Sequence, residues 1–453
     1  MRNKIYFQSG TLIALLLLFS GCEKFLDEKS DKRLAVPATL ADLQALLDND
    51  GVMNHNMPGS GEISSDNYYL TDADYNSTSQ EHLRRMYIWE KDDLFAPGSS
   101  SNDWNYLFKA VYAANSVLEE GEKIRTPDNT AGVLALKGQA LFFRAFAYLD
   151  AVQIWTLGYD PATADTDLGL PLRLDPDFNK ASARASLRQT YQQILDDIQI
   201  AIPLLPIKPL HAVRASKPAA YGLMARVFLN MRDYKQAGLY ADSSLQLFNT
   251  LIDYNTLNAA AAYPLPRFNS EVIFERVLAT PSMITKGRIH PDLYTQYASN
   301  DLRKSVFFRS NPDGSFAFKG PYLGTFALWG GLTSSEMLLI RAECAARNGN
   351  INGALSDLNT LMAKRWKAGT FVSITASTPD AALKLVLTER RKELLMRGLR
   401  WPDLKRLNKE GSGITLTRKV GGVTYILPPN DLRYALPIPE DVISRSGMTQ
   451  NHR

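Results

Sequence analysis

Cys22 is one of two cysteines in a chain of 453 residues, and its neighbours give it a chemistry. Arg2 and Lys4 make a basic start, and Thr11 to Phe19 form a short apolar run. Ser20 and Gly21 are the small residues a signal peptidase needs before its cut. The run is too short to cross a bilayer, which takes about 20 apolar residues. The pattern resembles a bacterial lipoprotein signal, in which Cys22 would become the lipidated first residue. Each buried CH₂ of its acyl chains would add about 0.8 kcal/mol of membrane affinity. Phe19 stands three residues before the cysteine, where a leucine is usual. An ordinary secretory signal cut nearby is the alternative. Cys344, in the apolar helical pattern Met337 to Ala345, reads as a small core residue.

Catalytic and metal chemistry find little to build on. Asp72 and Asp74 offer paired carboxylates of the kind that hydrolyse glycosides, one as acid and one as base or nucleophile. With 47 acidic residues in the chain, such pairs arise readily, and a solvated loop is the simpler reading. The five histidines, His55, His82, His211, His290 and His452, form no His-Glu-x-x-His and no cluster with cysteine. Asp48-Asn49-Asp50-Gly51 lacks the glycine position and closing glutamate of a calcium loop and reads as a turn. No Gly-x-Ser-x-Gly elbow or phosphate-cradling glycine loop occurs. No cofactor and no metal are expected.

These residues must be positioned by a chain that reads as mainly α. Ala38 to Leu47 is a first helix, and 48–80 is irregular and rich in Asn, Asp, Gly, Ser and tyrosine. Trp104, Leu107, Val111 and Leu118 fall at helical spacing, as do Leu136, Phe142, Ala145 and Leu149. Ser186 with Gln189 is a capping box opening an amphipathic helix, with Pro203 and Pro206 as its stop. Two later stretches look like copies of one unit. Ala225 and Ala237 lie 12 residues apart around Asp233-Tyr234, and Ala342 and Ala354 lie 12 apart around Asn348-Gly349-Asn350. Small residues at that spacing let two antiparallel helices approach closely, the packing logic of tetratricopeptide repeats. Such units bury their faces only against neighbours, so further copies are expected in 103–156 and 186–202. Residues 251–330 mix Asn, Pro, Gly and aromatics. Asn311-Pro312-Asp313-Gly314 is a turn between Val306–Phe308 and Phe316–Phe318.

Bulk properties exclude one class. The formal charge is +4, and removing residues 1–21 with Arg2 and Lys4 leaves about +2. No basic block stands out, so nucleic acid is not a partner on charge grounds. With two cysteines, stability rests on packing rather than disulfides.

The segment Glu389-Arg390-Arg391-Lys392-Glu393-Leu394-Leu395-Met396-Arg397-Gly398-Leu399-Arg400-Trp401-Pro402-Asp403-Leu404-Lys405-Arg406 resembles a hallmark of the SusD/RagB family. Read physically, Leu387, Leu394 and Leu395 bury one side, Glu393 and Arg397 pair at i,i+4, and Gly398 ends the helix. The family usually has an acid where Arg397 stands. Ser335 to Glu343, Trp104 to Asn115, Leu141 to Tyr148 and Tyr434 to Gln450 resemble other family segments, so the likeness spans 22–453.

The resemblance implies a mainly α, SusD-like fold: tetratricopeptide-type hairpins as scaffold, long irregular loops and a few short strands. It divides the chain into a signal peptide (1–21), a tether (22–33) and one SusD-like domain (34–453). Within that domain lie an N-terminal helical part (34–250), a loop-rich insertion (251–335) and a C-terminal repeat region (336–453). It implies a non-catalytic lipoprotein on the outer surface of a Bacteroidetes outer membrane. There it would act as lid of a SusC-like TonB-dependent transporter, binding a nutrient, most often a glycan and in some relatives a peptide. A lipid-anchored interaction scaffold without small ligand is the alternative, and a glycoside hydrolase ranks third. Family members place ligand contacts in the two irregular regions. Aromatic rings there can stack on sugar C–H faces while polar neighbours take the hydroxyls. The candidates are Tyr68, Tyr69, Tyr75 and Trp89 in the first region, and Tyr322, Phe326 and Trp329 in the second. Trp104, Trp155, Trp366 and Trp401 are expected to be scaffold.

Overall fold

The computed structural model describes residues 37–55, 57–95, 98 and 102–453. Cys22 therefore lies outside the described residues. Helices of eight residues or more are labelled α1 to α10: α1 Leu40–Leu47, α2 Asp103–Lys123, α3 Thr130–Trp155, α4 Leu187–Leu204 and α5 Lys217–Met231. They continue with α6 Tyr234–Leu247, α7 Ser334–Arg347, α8 Ile351–Ala363, α9 Pro379–Glu393 and α10 Arg400–Lys409. Their starts follow local capping chemistry. Thr39 and Asp42 close a capping box on α1, Ser186 and Gln189 close one on α4, and Asp233 and Asn350 cap α6 and α8.

The helices stack in sequence order, each against its neighbour: α2 on α3, α3 on α4, α4 on α5, α5 on α6, α6 on α7 and α7 on α8. This is the quasi-linear packing of repeat proteins. Ala225, Ala237, Ala342 and Ala354 are all fully buried, as the 12-residue spacing requires. The α6–α7 contact is closer still: a Cβ on Gly238 would sit 3.0 Å from Cys344 Cβ. Residues 103–156 hold the α2–α3 hairpin, whereas 186–202 supply the single helix α4, packed on α3 and α5, and not a second hairpin. Pro203 does not end α4. The helix runs to Leu204 with Pro203 in its last turn, and the chain leaves it at Leu205, the residue before Pro206.

Strands are short and form antiparallel two-stranded ribbons. β1 (Tyr68–Tyr69) pairs with β5 (Arg288–Ile289), and β2 (Leu168–Pro171) with β3 (Arg184–Ser186). β4 (Val272–Phe274) pairs with β8 (Leu332–Thr333), β6 (Phe308–Ser310) with β7 (Phe316–Phe318), and β9 (Leu416–Val420) with β10 (Val423–Leu427). The β6–β7 hairpin turns at Asn311 to Gly314 as its sequence predicts, with Gly314 at φ +81°.

A buried ionic network ties loops to helices. Arg303 donates to Asp301 (2.7 Å), Glu389 (2.5 Å) and Glu393 (3.2 Å), and Arg365 donates to Glu393 (2.8 Å) and Glu271 (2.5 Å). Burial alone would push the Glu393 carboxyl up, but Arg365 and Arg303 outweigh it and hold the carboxyl below its usual range. Glu393 is thus fully engaged by partners other than Arg397. The expected i,i+4 pair does not form, because α9 stops at Glu393 and Met396 turns left-handed at φ +58°. Arg397 instead donates to Thr333 (3.1 Å) and lies over Trp329. Gly398, at φ +73°, accommodates the same bend.

Candidate functional site

The β1–β5 ribbon joins the two irregular regions that carry the candidate aromatics. Tyr68 sits opposite Ile289 and Tyr69 opposite Arg288. Side chains alternate across such a ribbon. Tyr68 points inward, its hydroxyl donating to Ile63 O at 3.2 Å, while Tyr69 stays half-buried at the surface. Two clefts border the ribbon.

The larger cleft measures about 510 Å³ and lies between the ribbon, the segment after it and strand β9. Its rim carries Tyr69, His290, Asp292, Arg391 and Lys419. The Tyr69 and His290 rings meet edge to face at 6.0 Å. The cleft wall is built by Tyr68, Tyr87 and Trp89 around a buried Arg418. The Arg418 guanidinium lies 3.7 Å from the Tyr87 ring centroid and 4.8 Å from that of Trp89. Its N–H groups go to the carbonyls of Tyr87, Ile63 (2.8 Å) and Ser65 (2.5 Å). Trp89 Nε1 donates to Ser64 O at 2.9 Å, fixing an indole whose backbone is left-handed at φ +58°. Burial would raise the Asp66 carboxyl, but Arg400 (2.6 Å) and Arg391 (3.0 Å) hold it well below the usual carboxylate range.

The smaller cleft, about 240 Å³, lies on the insertion between the ribbon and the β6–β7 hairpin. Its lining includes Tyr263, Phe326, Arg309 and Lys319. Phe326 is 58% exposed and Tyr263 37% exposed, so both rings are open to a ligand. Gly324 donates to Leu265 O at 3.0 Å, tying the Phe326 loop to the Tyr263 segment. Lys319 Nζ donates to Ala259 O (2.6 Å) and Ala261 O (3.3 Å).

The candidate aromatics therefore separate. Tyr68, Tyr69 and Trp89 line the larger cleft, Tyr69 alone at its rim with an accessible ring, and Phe326 lines the smaller one. Tyr75 packs on Tyr87 at 5.8 Å, beside the cleft rather than in its lining. Tyr322 and Trp329 are in the core. The Tyr322 hydroxyl donates to Glu271 at 3.0 Å, and Trp329, 1% exposed, packs on Tyr322 at 5.3 Å and under Arg397. Trp104, Trp155 and Trp401 are buried and Trp366 partly so, all as scaffold.

Sequence reasoning missed Tyr263, His290, Arg309, Lys319 and Lys419. Gly421-Gly422 between two alternating runs is a hairpin signal that would have placed Arg418 and Lys419 on one strand. Tyr263 and His290 have no comparable signal, since loop residues follow no period.

Few acids line the two clefts. Among the described residues, the smaller is lined by no Asp or Glu, and the larger by Asp66 and Asp292. Asp66 is kept ionised and in ion pairs, the reverse of a proton-donating acid. Asp72 accepts from Gly421 N, and Asp74 pairs with Arg288. Asp48 is taken by Arg214 (2.5 Å), and Asp50–Met53, read from sequence as part of a turn, is a short helix. Among the described residues, no group of three or more His, Cys, Asp or Glu could hold a metal ion. No helix of the described residues is long and apolar enough to cross a membrane.

A third groove, about 700 Å³, runs between α6 and α7 and is lined by Tyr234, Lys235, Leu239, Arg341 and Arg347.

Comparison with known proteins gives this geometry a context. Residues 24–229 match a SusD-like family described as starch-binding and associating with the outer membrane, and residues 334–453 match the SusD family. SusD-like protein P2 of Formosa agariphila is 23% identical, with 98% of each chain covered. The crystal structure of a SusD superfamily protein from Bacteroides thetaiotaomicron VPI-5482 superposes with a TM-score of 0.72 at 20% identity, covering 92% of this chain and 100% of that one. A laminarin-binding SusD-like protein superposes with a TM-score of 0.65 at 17% identity, covering 91% of this chain and 98% of the other.

Proposed function

Because the chain belongs to the SusD/RagB family, we propose that it is a cell-surface nutrient-binding protein whose ligand is a glycan, held at the loop-rich clefts without being cleaved. The observation that carries this reading is the exposed Tyr263–Phe326 pair with cationic neighbours, set in a family frame beside the Tyr69–His290 rim. Rings take sugar C–H faces and the polar groups take hydroxyls. The laminarin-binding relative supports a glycan over other nutrients.

The finer reading is that the protein is the lid of a TonB-dependent barrel. Residues 1–21 would be a removed signal, Cys22 the lipidated anchor, 22–33 a tether and 34–453 the binding domain. Closing the lid would raise the local concentration of held ligand at the import channel. The α6–α7 groove supports a protein partner on the helical face, separate from the ligand clefts.

Isothermal titration of the full chain against a glycan panel, with chromatography of the sugars afterwards, tests the binding reading. Heat of binding with intact sugars is expected; released oligosaccharides would overturn it in favour of a hydrolase. Purification from native outer membranes tests the lid, which predicts one β-barrel receptor in stoichiometric amount. A monodisperse protein without any barrel would sink that part. Radiolabelled palmitate should enter the wild type and not Cys22→Ser.

A further inference from the structure

Resting on the glycan-binding reading, we propose that the ligand is an anionic glycan whose carboxylate or sulfate groups are received by Arg309 and Lys319 in the smaller cleft.

The charge balance of the clefts carries this. The smaller cleft is lined by two cations and, among the described residues, by no acid. Lys319 is buried, yet its ammonium donates to two main-chain carbonyls and to no carboxylate. An ammonium has three protons, so one donor remains for a ligand. Partial desolvation lowers the Lys319 pKa, and an anion placed beside the ammonium would offset that cost. Arg309 stands exposed on β6 in the wall of the same cleft. Two acids beside the hairpin and the ribbon are already paired. Asp313 accepts from Arg288 (2.9 Å) and from Ser315, and Asp74 is paired with Arg288 and Thr71.

The larger cleft also carries cations, although Asp66 and Asp292 line it too. Arg418 is a second buried cation, held by carbonyls and rings with no carboxylate partner among the described residues. Lys419 follows it on the exposed side of β9. Arg391 adds a third positive group, while the one acid it touches, Asp66, is shared with Arg400. In the smaller cleft, walls lined by one sign of charge focus the field toward ligand of the opposite sign. The chain as a whole carries only +4, so this asymmetry is local to the clefts. A uronate or sulfated sugar would present its ring face to Tyr263 or Phe326 and its anion to Arg309 and Lys319. Uronates and sulfate esters share this chemistry, and the experiment separates them.

The test is isothermal titration of the full chain with polygalacturonate and alginate (carboxylated), carrageenan (sulfated), and laminarin and starch (neutral), at low and high salt. Binding of one anionic class is expected, weakening as salt screens the charges. Arg309→Gln, an exposed change, should weaken it by about tenfold or more, the loss expected for a charge-assisted hydrogen bond. Lys319→Gln should act alike. Should that variant melt early, Arg309→Gln decides. Lys109→Gln, an exposed position on α2 outside both clefts, should bind as wild type and so controls for general charge. Neutral glycans bound equally well, with Arg309→Gln unaffected, would overturn the anionic ligand and leave the glycan reading standing. Peptides bound in place of any glycan, or no glycan bound at all, would overturn both.

Discussion

The Arg397 guanidinium lies 4.5 Å from the centroid of the Trp329 ring and 5.1 Å from that of Tyr322. This stack converts two residues that look like ligand contacts into a strut between the loop-rich insertion and the hallmark segment after α9. Trp329→Ala is accordingly expected to destabilise the fold by about 3–5 kcal/mol, the usual cost of emptying a core position of that size. Chemical denaturation would show it. A variant with wild-type stability and weakened ligand binding would instead place Trp329 at the ligand.

Tyr263→Ala and Phe326→Ala should behave oppositely. Both rings are exposed, so stability should stay within about 0.5 kcal/mol of wild type. Ligand affinity should fall by about 1–3 kcal/mol for whichever ring stacks on the sugar. Paired melting curves and titrations on the same preparation separate the two effects.

Glu393 is the hinge of the buried ionic network, accepting from both Arg365 and Arg303. Glu393→Gln leaves those two guanidinium groups short of a charge inside the protein. Removing one member of a buried pair typically costs about 3–5 kcal/mol, and that is the loss expected on urea unfolding. A neutral outcome would mean the remaining acids, Asp301, Glu389 and Glu271, suffice.

Lys405 supplies a pH signature. Its ammonium is buried and donates to Gln153 O (2.6 Å) and Thr156 O (2.7 Å), and burial pulls its pKa down to about 7 from an ordinary 10.5. Between those values the unfolded chain holds a proton that the folded chain has lost. Unfolding therefore takes up a proton, and stability rises with pH from about 7 toward about 10.5. Below pH 7 both states are charged and the burial penalty is borne in full. Lys405→Met should remove this rise. Stability of the two proteins measured from pH 6 to 10 checks it, and parallel curves would refute the assignment.

Much of the scaffold was legible in the sequence because helices repeat. Alanines 12 residues apart, the Ser186–Gln189 capping box and the Asn311–Gly314 turn each depend on local chemistry, and each appears where it was expected. The clefts were legible only by region. Which aromatic of a loop faces out is settled by distant partners. Glu271 and Arg397 draw Tyr322 and Trp329 inward, whereas among the described residues no such partner captures Phe326. The expected Glu393–Arg397 pair failed for the same reason, since Arg365 and Arg303, remote in sequence, claim the acid first. Lys319 and Arg418 could not be singled out among 51 basic residues until their carbonyl partners were seen.

The wiring of Glu271, Asp301, Arg303 and Arg365 to Glu389 and Glu393 has a consequence for biogenesis. As the polypeptide emerges from its N-terminus, the first four of these residues exist before the two that complete them. Arg303 can pair with Asp301 and Arg365 with Glu271 early, but the network closes only once Glu389 and Glu393 have been delivered. Protease resistance of the nascent middle region should rise when those two residues emerge.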